Sequence, residues 1–271
     1  MKAVGVGSAH VELTEREAIK RAPPGIASAR LWYSCERQRH HAIRQVQVPR
    51  VLWSEWDSGS FSFGMERVTD WVHPLQQLGT DWLWNAAGSV AEACTSTLVD
   101  GHRVREAVLR KLAALQSGCT GHTLGTHEVA FRAALAACAD AVAGAMPAVP
   151  FGQPHGDFTT CNLLLRSDGG LIAIDFLDSD VPSPVVDVAK LRQDTRWGWA
   201  EANGAALPDA AHAADRWWVD RWCGEPWWPW VAPLTALALL RAVPYVRETA
   251  MRGWLVGQAA EASMEAVCRI H

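Results

Sequence analysis

Residues His155, Gly156, Asp157 and Asn162 form the pattern H-G-D-x-x-x-x-N, and Ile174-Asp175-Phe176 follows across a hairpin signal, Asp168-Gly169-Gly170. Two carboxylates and an amide in this order suit phosphoryl transfer. That reaction needs a carboxylate to take the proton of an acceptor hydroxyl, and hard oxygen ligands to hold Mg²⁺ against phosphates. Asp157 can be the base. Asn162, across a tight loop entering a strand, can offer its amide oxygen to the metal, and Asp175, at the end of the paired strand, brings an anionic oxygen beside it. Asp187 precedes a helical stretch and can accept backbone N–H groups, bracing the loop.

Positioning these groups requires the hairpin Leu163–Leu165 with Leu171–Phe176, set among helices. The spacing predicts helices near Val104–Leu115, Glu128–Ala145, Val188–Ala200, Ala210–Trp222, Leu234–Val243 and Val246–Val267. Before about residue 70 the pattern is strand-like instead. Val11 and Leu13 alternate with polar neighbours, Thr14 to Arg16 turn, and Glu17–Ala22 reads as a second strand ended by Pro23-Pro24-Gly25. Leu31, Cys35, Ala42 and Val46 recur at helical spacing and predict an amphipathic helix closed by Pro49. Val51–Trp56 and Phe61–Met65 flank Asp57-Ser58-Gly59 as a hairpin. The expected organisation is a small α+β lobe, residues 1–68, and a larger helical lobe, residues 69–271.

On H-G-D-x-x-x-x-N, I-D-F and Asp187, the sequence resembles the aminoglycoside phosphotransferase and choline kinase family, small-molecule kinases built on the protein-kinase-like fold. The resemblance implies a two-lobed α+β fold and ATP or GTP as co-substrate. It implies Asp157 as catalytic base, Asn162 and Asp175 as Mg²⁺ ligands, and His155 and Asp187 as structural supports. It also implies a lysine for the α/β-phosphates and a helical glutamate that orients it. Lys20, in Ala18-Ile19-Lys20, and Glu36 occupy those places. Only four of the 25 cationic side chains are lysine (Lys2, Lys20, Lys111 and Lys190), so Lys20 marks a site that wants a compact ammonium. Gly5-Val6-Gly7-Ser8 resembles the loop over the phosphates, without its third glycine and after a shortened strand. Phe63-Gly64-Met65-Glu66-Arg67-Val68 resembles the strand into the interlobe hinge, which puts Met65, Glu66 and Val68 against adenine. Thr159 stands where protein Ser/Thr kinases commonly carry a lysine. The stretch from Asp175 to Asp187 is too short for an activation loop and lacks A-P-E, so the expected acceptor is a small molecule.

Pro226-Trp227-Trp228-Pro229-Trp230 is too proline-bounded for a helix interior. With Asp178, Trp227, Trp228 and Trp230 are expected to wall an acceptor pocket, stacking on a sugar ring or a quaternary ammonium; the segment also suits helix packing or an oligomer contact. From Asp178 onward there are 12 acidic and 9 basic residues, a modest excess that favours a neutral hydroxylated acceptor such as a sugar over a polycation. The alternative reading is a nucleotide-binding pseudokinase, a regulatory or binding module. Across the 271 residues, Lys+Arg 25 against Asp+Glu 29 leaves no basic field for nucleic acid. The longest apolar run, Leu234–Leu240, is cut by Arg241 and Pro244, short of the roughly 20 residues that span a bilayer. The start of the chain lacks a signal-peptide pattern, and the seven cysteines, odd in number and without C-x-x-C, read as reduced thiols in a cytoplasm. Cys119, His122, His127 and Cys138 fit no standard zinc spacing, and His40-His41 reads as lobe surface.

Overall fold

A computed structural model describes residues 9–41, 43, 45–72, 81–94, 97–119, 124–143, 148–177, 179–202 and 209–268. The first part is a four-stranded antiparallel sheet, in the order β1-β2-β5-β4, with a helix packed on it. Strands β1 (His10–Leu13) and β2 (Glu17–Ala22) are joined by a turn that Thr14 closes, its hydroxyl accepting the Glu17 N–H at 2.9 Å. Helix α1 (Ile26–Arg39) follows, then a two-residue strand, β3 (Val46–Gln47). The hairpin of β4 (Val51–Asp57) and β5 (Ser60–Glu66) turns through Ser58 at φ 49° and Gly59 at φ 81°. Two left-handed residues match the strands' right-handed twist. Gly64 in β5 lets the Trp53 indole lie across the strand, since a Cβ there would stand 2.2 Å from Trp53 Nε1. Ala22, Leu31, Cys35, Phe61, Phe63 and Met65 form the core of this part.

The helix predicted to continue to Val46 stops at Arg39. Gln45 has φ 64°, a conformation an α-helix does not pass through, and Val46 instead pairs in parallel with Leu171 of the second part. Ala42 lies outside the described residues.

The second part contains β6 (Trp71–Val72), α2 (Asp81–Ala93), β7 (Leu98–Val99), α3 (His102–Gly118), α4 (Glu128–Ala143), β8 (Val149–Pro150), β9 (Leu163–Arg166) and β10 (Leu171–Ala173). It continues with α5 (Val185–Thr195), α6 (Trp199–Ala202), α7 (Asp209–Trp222), α8 (Val231–Ala242) and α9 (Thr249–Cys268). The predicted helix over 188–200 divides into α5 and α6 because Gly198 turns left-handed at φ 69°. Helix α8 is buried from Val231 to Leu240 and forms the centre of a core shared with α2, α4, α5 and α9. A helix apolar on nearly every side has no solvent face and must lie inside. Strand β10 is flanked by β3 and β9, with β6 beyond, so a small sheet carries the predicted hairpin. None of the described helices is long and apolar enough to cross a membrane.

Candidate active site

The segment before β9 and the segment after β10 are fastened together at both ends. Ile174 N–H donates to Asn162 O at 2.9 Å, and Leu177 N–H donates to His155 O at 3.0 Å. Between these two bonds the chain must turn sharply. Asp175 does so at φ 66° and Gly156 at φ 88°, where a Cβ would stand 2.8 Å from Leu177 O. Asp157 and Asp175 therefore lie on neighbouring strips of backbone.

His155 is fully buried between Phe158 and Phe176, with ring centroids at 5.6 and 4.1 Å. Burial lowers its pKa to about 3, so the ring is neutral. Its Nε2–H donates to Ile174 O at 2.9 Å, which leaves the Nδ1 lone pair to accept the Asp157 N–H at 3.3 Å. Asp187 is also buried, and its two oxygens accept the N–H groups of His155 and Gly156 at 2.7 and 2.8 Å. Burial raises its carboxyl to about 7 against the pull of those amides. Both side chains shape the loop on which Asp157 sits.

The Asp157 carboxylate is engaged at each oxygen. Lys190 Nζ is 3.0 Å from Oδ1, and Asn162 Nδ2 donates to Oδ2 at 2.9 Å. Burial pushes this carboxyl up, but the Lys190 ammonium, with the Asn162 amide and His155, holds it below the usual carboxylate range. Asn162 also donates to Asp157 O at 2.9 Å, so its nitrogen faces Asp157 and its amide oxygen is the atom that could hold a cation.

Lys20 reaches across from β2. Its Nζ is 2.6 Å from Asp175 Oδ1, with the lysine side chain 8% and the aspartate side chain 57% exposed. The expected partner, Glu36, is elsewhere: its carboxylate takes Arg39 Nη1 at 2.6 Å and faces His40 Nε2 at 3.7 Å. An i,i+3 pair on one helix face is the shorter reach. Helix α1 meets the site through other side chains. Arg37 donates to Pro154 O at 3.0 Å and Ser179 O at 2.5 Å, and the Ser34 hydroxyl donates to Phe176 O.

Met65 is buried and Glu66 closes β5, where its carboxylate pairs with Arg50 at 2.7 Å. The Glu66 N–H donates to Arg50 O at 2.9 Å and the Arg67 N–H to Arg16 O at 3.0 Å, with Val68 just beyond the strand. Gly5, Gly7 and Asp178 lie outside the described residues. The tryptophan segment does not wall a pocket. Trp227, Trp228 and Trp230 are 2%, 3% and 0% exposed and belong to the large core, where Arg192 stacks on Trp228 at 5.4 Å and pairs with Asp215 at 2.7 Å. A short 3-10 turn over Trp228–Trp230 leads into α8, which turns the rings inward.

Sequence reasoning named Asp187 but missed Lys190 and Asp194, which share its helix face. Asp187, Lys190 and Asp194 are spaced by three and four, one face of α5, and they meet the loop in order at His155 and Gly156, at Asp157, and at Thr160. Asp194 Oδ2 accepts both the N–H and the hydroxyl of Thr160, at 2.6 and 2.8 Å, and burial raises its carboxyl to about 6. The scarcity of lysine was the available signal: each described lysine pairs with an aspartate of this region, Lys111 with Asp180 at 3.3 Å. His41, read as surface, packs edge-on against Phe176 at 5.1 Å. A cavity of about 550 Å³ opens beyond α5, lined by Arg196, Trp197, Glu201, His212 and Trp254 among others, and none of Asp157, Asn162 and Asp175 lines it.

A choline kinase, LicA from Streptococcus pneumoniae, superposes with a TM-score of 0.64 at 11% identity, covering 97% of this chain and 92% of that one. An aminoglycoside-3'-phosphotransferase of type VIII gives 0.56 at 17%, over 96% and 91%. A thermostable mutant of aminoglycoside phosphotransferase APH(4)-Ia in ternary complex with AMP-PNP and hygromycin B gives 0.58 at 13%, over 94% and 93%. No curated protein matches the sequence. At these identities the likeness shows the fold, an α+β protein-kinase-like architecture. The sequence profile of the phosphotransferase enzyme family matches residues 10–228, a span that holds Lys20, the Asp157 loop, Asp175 and the α5 face, and the chain belongs to that family.

Proposed function

We propose that this chain moves the γ-phosphoryl group of ATP or GTP to a hydroxyl of a small molecule, with Mg²⁺ as its metal. One observation carries the reading. The paired bonds from Ile174 to Asn162 and from Leu177 to His155 set Asp157 beside Asp175, with Lys20 reaching Asp175 from the small sheet. Asp157 then accepts the acceptor hydroxyl's hydrogen bond and takes its proton as the O–P bond forms. Lys20 exchanges Asp175 for phosphate oxygens.

The donor set suits Mg²⁺. Asp175 offers a half-exposed carboxylate and Asn162 an amide oxygen, hard ligands of the kind that hold this ion through one or two protein oxygens beside phosphates. Bound there, Mg²⁺ would neutralise charge on the phosphates. Among the described residues no group of three His, Cys, Asp or Glu side chains offers another metal site.

Residues 1–68 serve as the nucleotide lobe in this reading, with Gly5 and Gly7 at the phosphates and Met65, Glu66 and Val68 near adenine. Residues 69–271 supply catalysis and the acceptor site. The ternary complex of APH(4)-Ia with AMP-PNP and hygromycin B, and the choline kinase likeness, support a nucleotide with a small acceptor. The modest acidic excess from Asp178 onward supports a neutral, sugar-like acceptor, met in the cytoplasm. The test is ADP or GDP release by the purified chain with Mg²⁺ and a panel of sugars, amino alcohols and aminoglycosides. Acceptor-stimulated release supports the reading; nucleotide binding without any release favours the pseudokinase.

A further inference from the structure

Lys190 is a buried ammonium beside the base. It projects from α5, its side chain is 13% exposed, and its Nζ is 3.0 Å from Asp157 Oδ1. Taking an ammonium out of water is costly unless its partners are well placed. A chain with four lysines among 25 cationic side chains keeps one here, in contact with the base. The neighbouring carboxylate, Asp194, is already given to Thr160 through Oδ2. Lys190 also lies in the field of Asp194, but its ion-pair contact is with the base itself.

A base in action lies within about 3 Å of the acceptor oxygen, and that oxygen attacks phosphorus from about 3 to 3.5 Å. An ammonium that shares this carboxylate has only those two short steps between it and the phosphoryl oxygens in transfer. Those oxygens carry the charge of the transition state, where a fixed cation lowers the barrier most.

Resting on the proposed phosphotransfer, we propose that Lys190 is a catalytic residue whose ammonium bridges Asp157 and an equatorial oxygen of the γ-phosphoryl group during transfer. In the step, the acceptor oxygen forms its bond to phosphorus and the bond from phosphorus to the β,γ-bridging oxygen breaks. The hydroxyl proton passes to Asp157, and the nucleoside diphosphate leaves with the bridging oxygen's electron pair. Lys190 keeps its proton throughout and forms no covalent bond.

The experiment uses the full chain and follows Mg²⁺-dependent ATP hydrolysis, for which water is the acceptor, with ATP affinity by calorimetry and thermal unfolding alongside. Lys190→Met should lower kcat by about 10²-fold or more, with the KM for ATP within about threefold. Lys190→Arg, which keeps the charge, should recover at least a tenth of the wild-type rate. In the Asp157→Asn background, Lys190→Met should cost a further tenfold or more. Wild-type kcat in Lys190→Met, or a change in KM alone, overturns the inference. So does the absence of further loss in the double variant, which would leave Lys190 as a group that only holds the base. If Lys190→Met fails to fold, Lys190→Arg decides: a folded variant with less than a hundredth of the wild-type rate overturns the inference. A wild-type chain with no Mg²⁺-dependent hydrolysis, unaffected by Asp157→Asn, overturns the phosphotransfer reading and this inference with it.

Discussion

Lys20 Nζ lies 2.6 Å from Asp175 Oδ1, so the buried lysine of the small sheet and the half-exposed carboxylate after the hairpin hold one another. In the proposed reaction both belong to the nucleotide, Asp175 through the metal and Lys20 through the phosphates. Binding must therefore exchange one ion pair for two. Asp175→Ala should abolish the Mg²⁺ dependence of ATP affinity, because a hard cation loses its anionic oxygen. Lys20→Met should weaken ATP binding by about tenfold or more, the scale of a lost charged hydrogen bond. Calorimetric titrations with and without Mg²⁺ check both, and undiminished Mg²⁺ dependence in Asp175→Ala would remove that residue from the metal.

What was legible in the sequence was local. The hairpin of β4 and β5 followed from Ser58-Gly59, and Asp157, Asn162 and Asp175 stood in one short motif around another hairpin. Non-local pairing was not legible. Val46 has the spacing of a helix residue, yet Leu171 draws it into a parallel strand, because strand formation depends on neighbours far along the chain. Lys190 and Asp194 sit on a helix of ordinary composition, and only the fold shows that their face lies on the Asp157 loop. The tryptophans around Trp228 have a composition that serves a pocket wall or a core equally well, and burial decided for the core. Helix α2 was readable but unread: Trp82, Leu83, Ala86, Ala87 and Val90 recur at helical spacing and are all buried.

Two buried carboxyls under the Asp157 loop make stability depend on pH. Burial raises Asp187 to about 7 and Asp194 to about 6, from 3.8 for a free side chain. Folded chains thus hold more protons than unfolded ones between these values. The stability contributed is full below about pH 4 and declines as pH rises through 6 and 7. Asp157, held low, acts in the opposite sense and loses its contribution as pH falls. Asn cannot titrate, so the melting-temperature difference between wild type and Asp194→Asn should be most favourable to wild type near pH 4 and shrink towards pH 8. A constant difference across that range would mean Asp194 is ionised throughout.

Trp228 separates packing from binding. Its ring is 3% exposed and lies under the Arg192 guanidinium, which pairs with Asp215 at 2.7 Å and Glu265 at 3.5 Å. Trp228→Ala opens a cavity above a buried ion-pair cluster and should cost about 3 to 5 kcal/mol in denaturant unfolding. The acceptor KM of the folded fraction should be unchanged. A raised KM with unaltered stability would put the indole in contact with the acceptor.

Asp157 carries the sharpest prediction, because its two oxygens have different neighbours. Asp157→Asn keeps the size of the side chain and can still accept the Asn162 amide at one oxygen, but it cannot take a hydroxyl proton, and it turns an amide or loses a charge towards Lys190. Phosphoryl transfer should fall by about 10² to 10⁴. ATP·Mg²⁺ affinity should stay within a few-fold, since Asn162 and Asp175 remain to hold the metal. A pseudokinase would show no change in either quantity, having no chemistry to lose. Loss of nucleotide binding together with turnover would instead make Asp157 a support of the loop or the metal. Removing the carboxylate also leaves Lys190 without its ion-pair partner in a buried position, so some destabilisation is expected of the variant. Thermal unfolding of the same preparation therefore belongs with the two measurements: a rate lost in a chain that still melts cooperatively and still binds ATP is lost in the transfer step and not in folding or nucleotide binding.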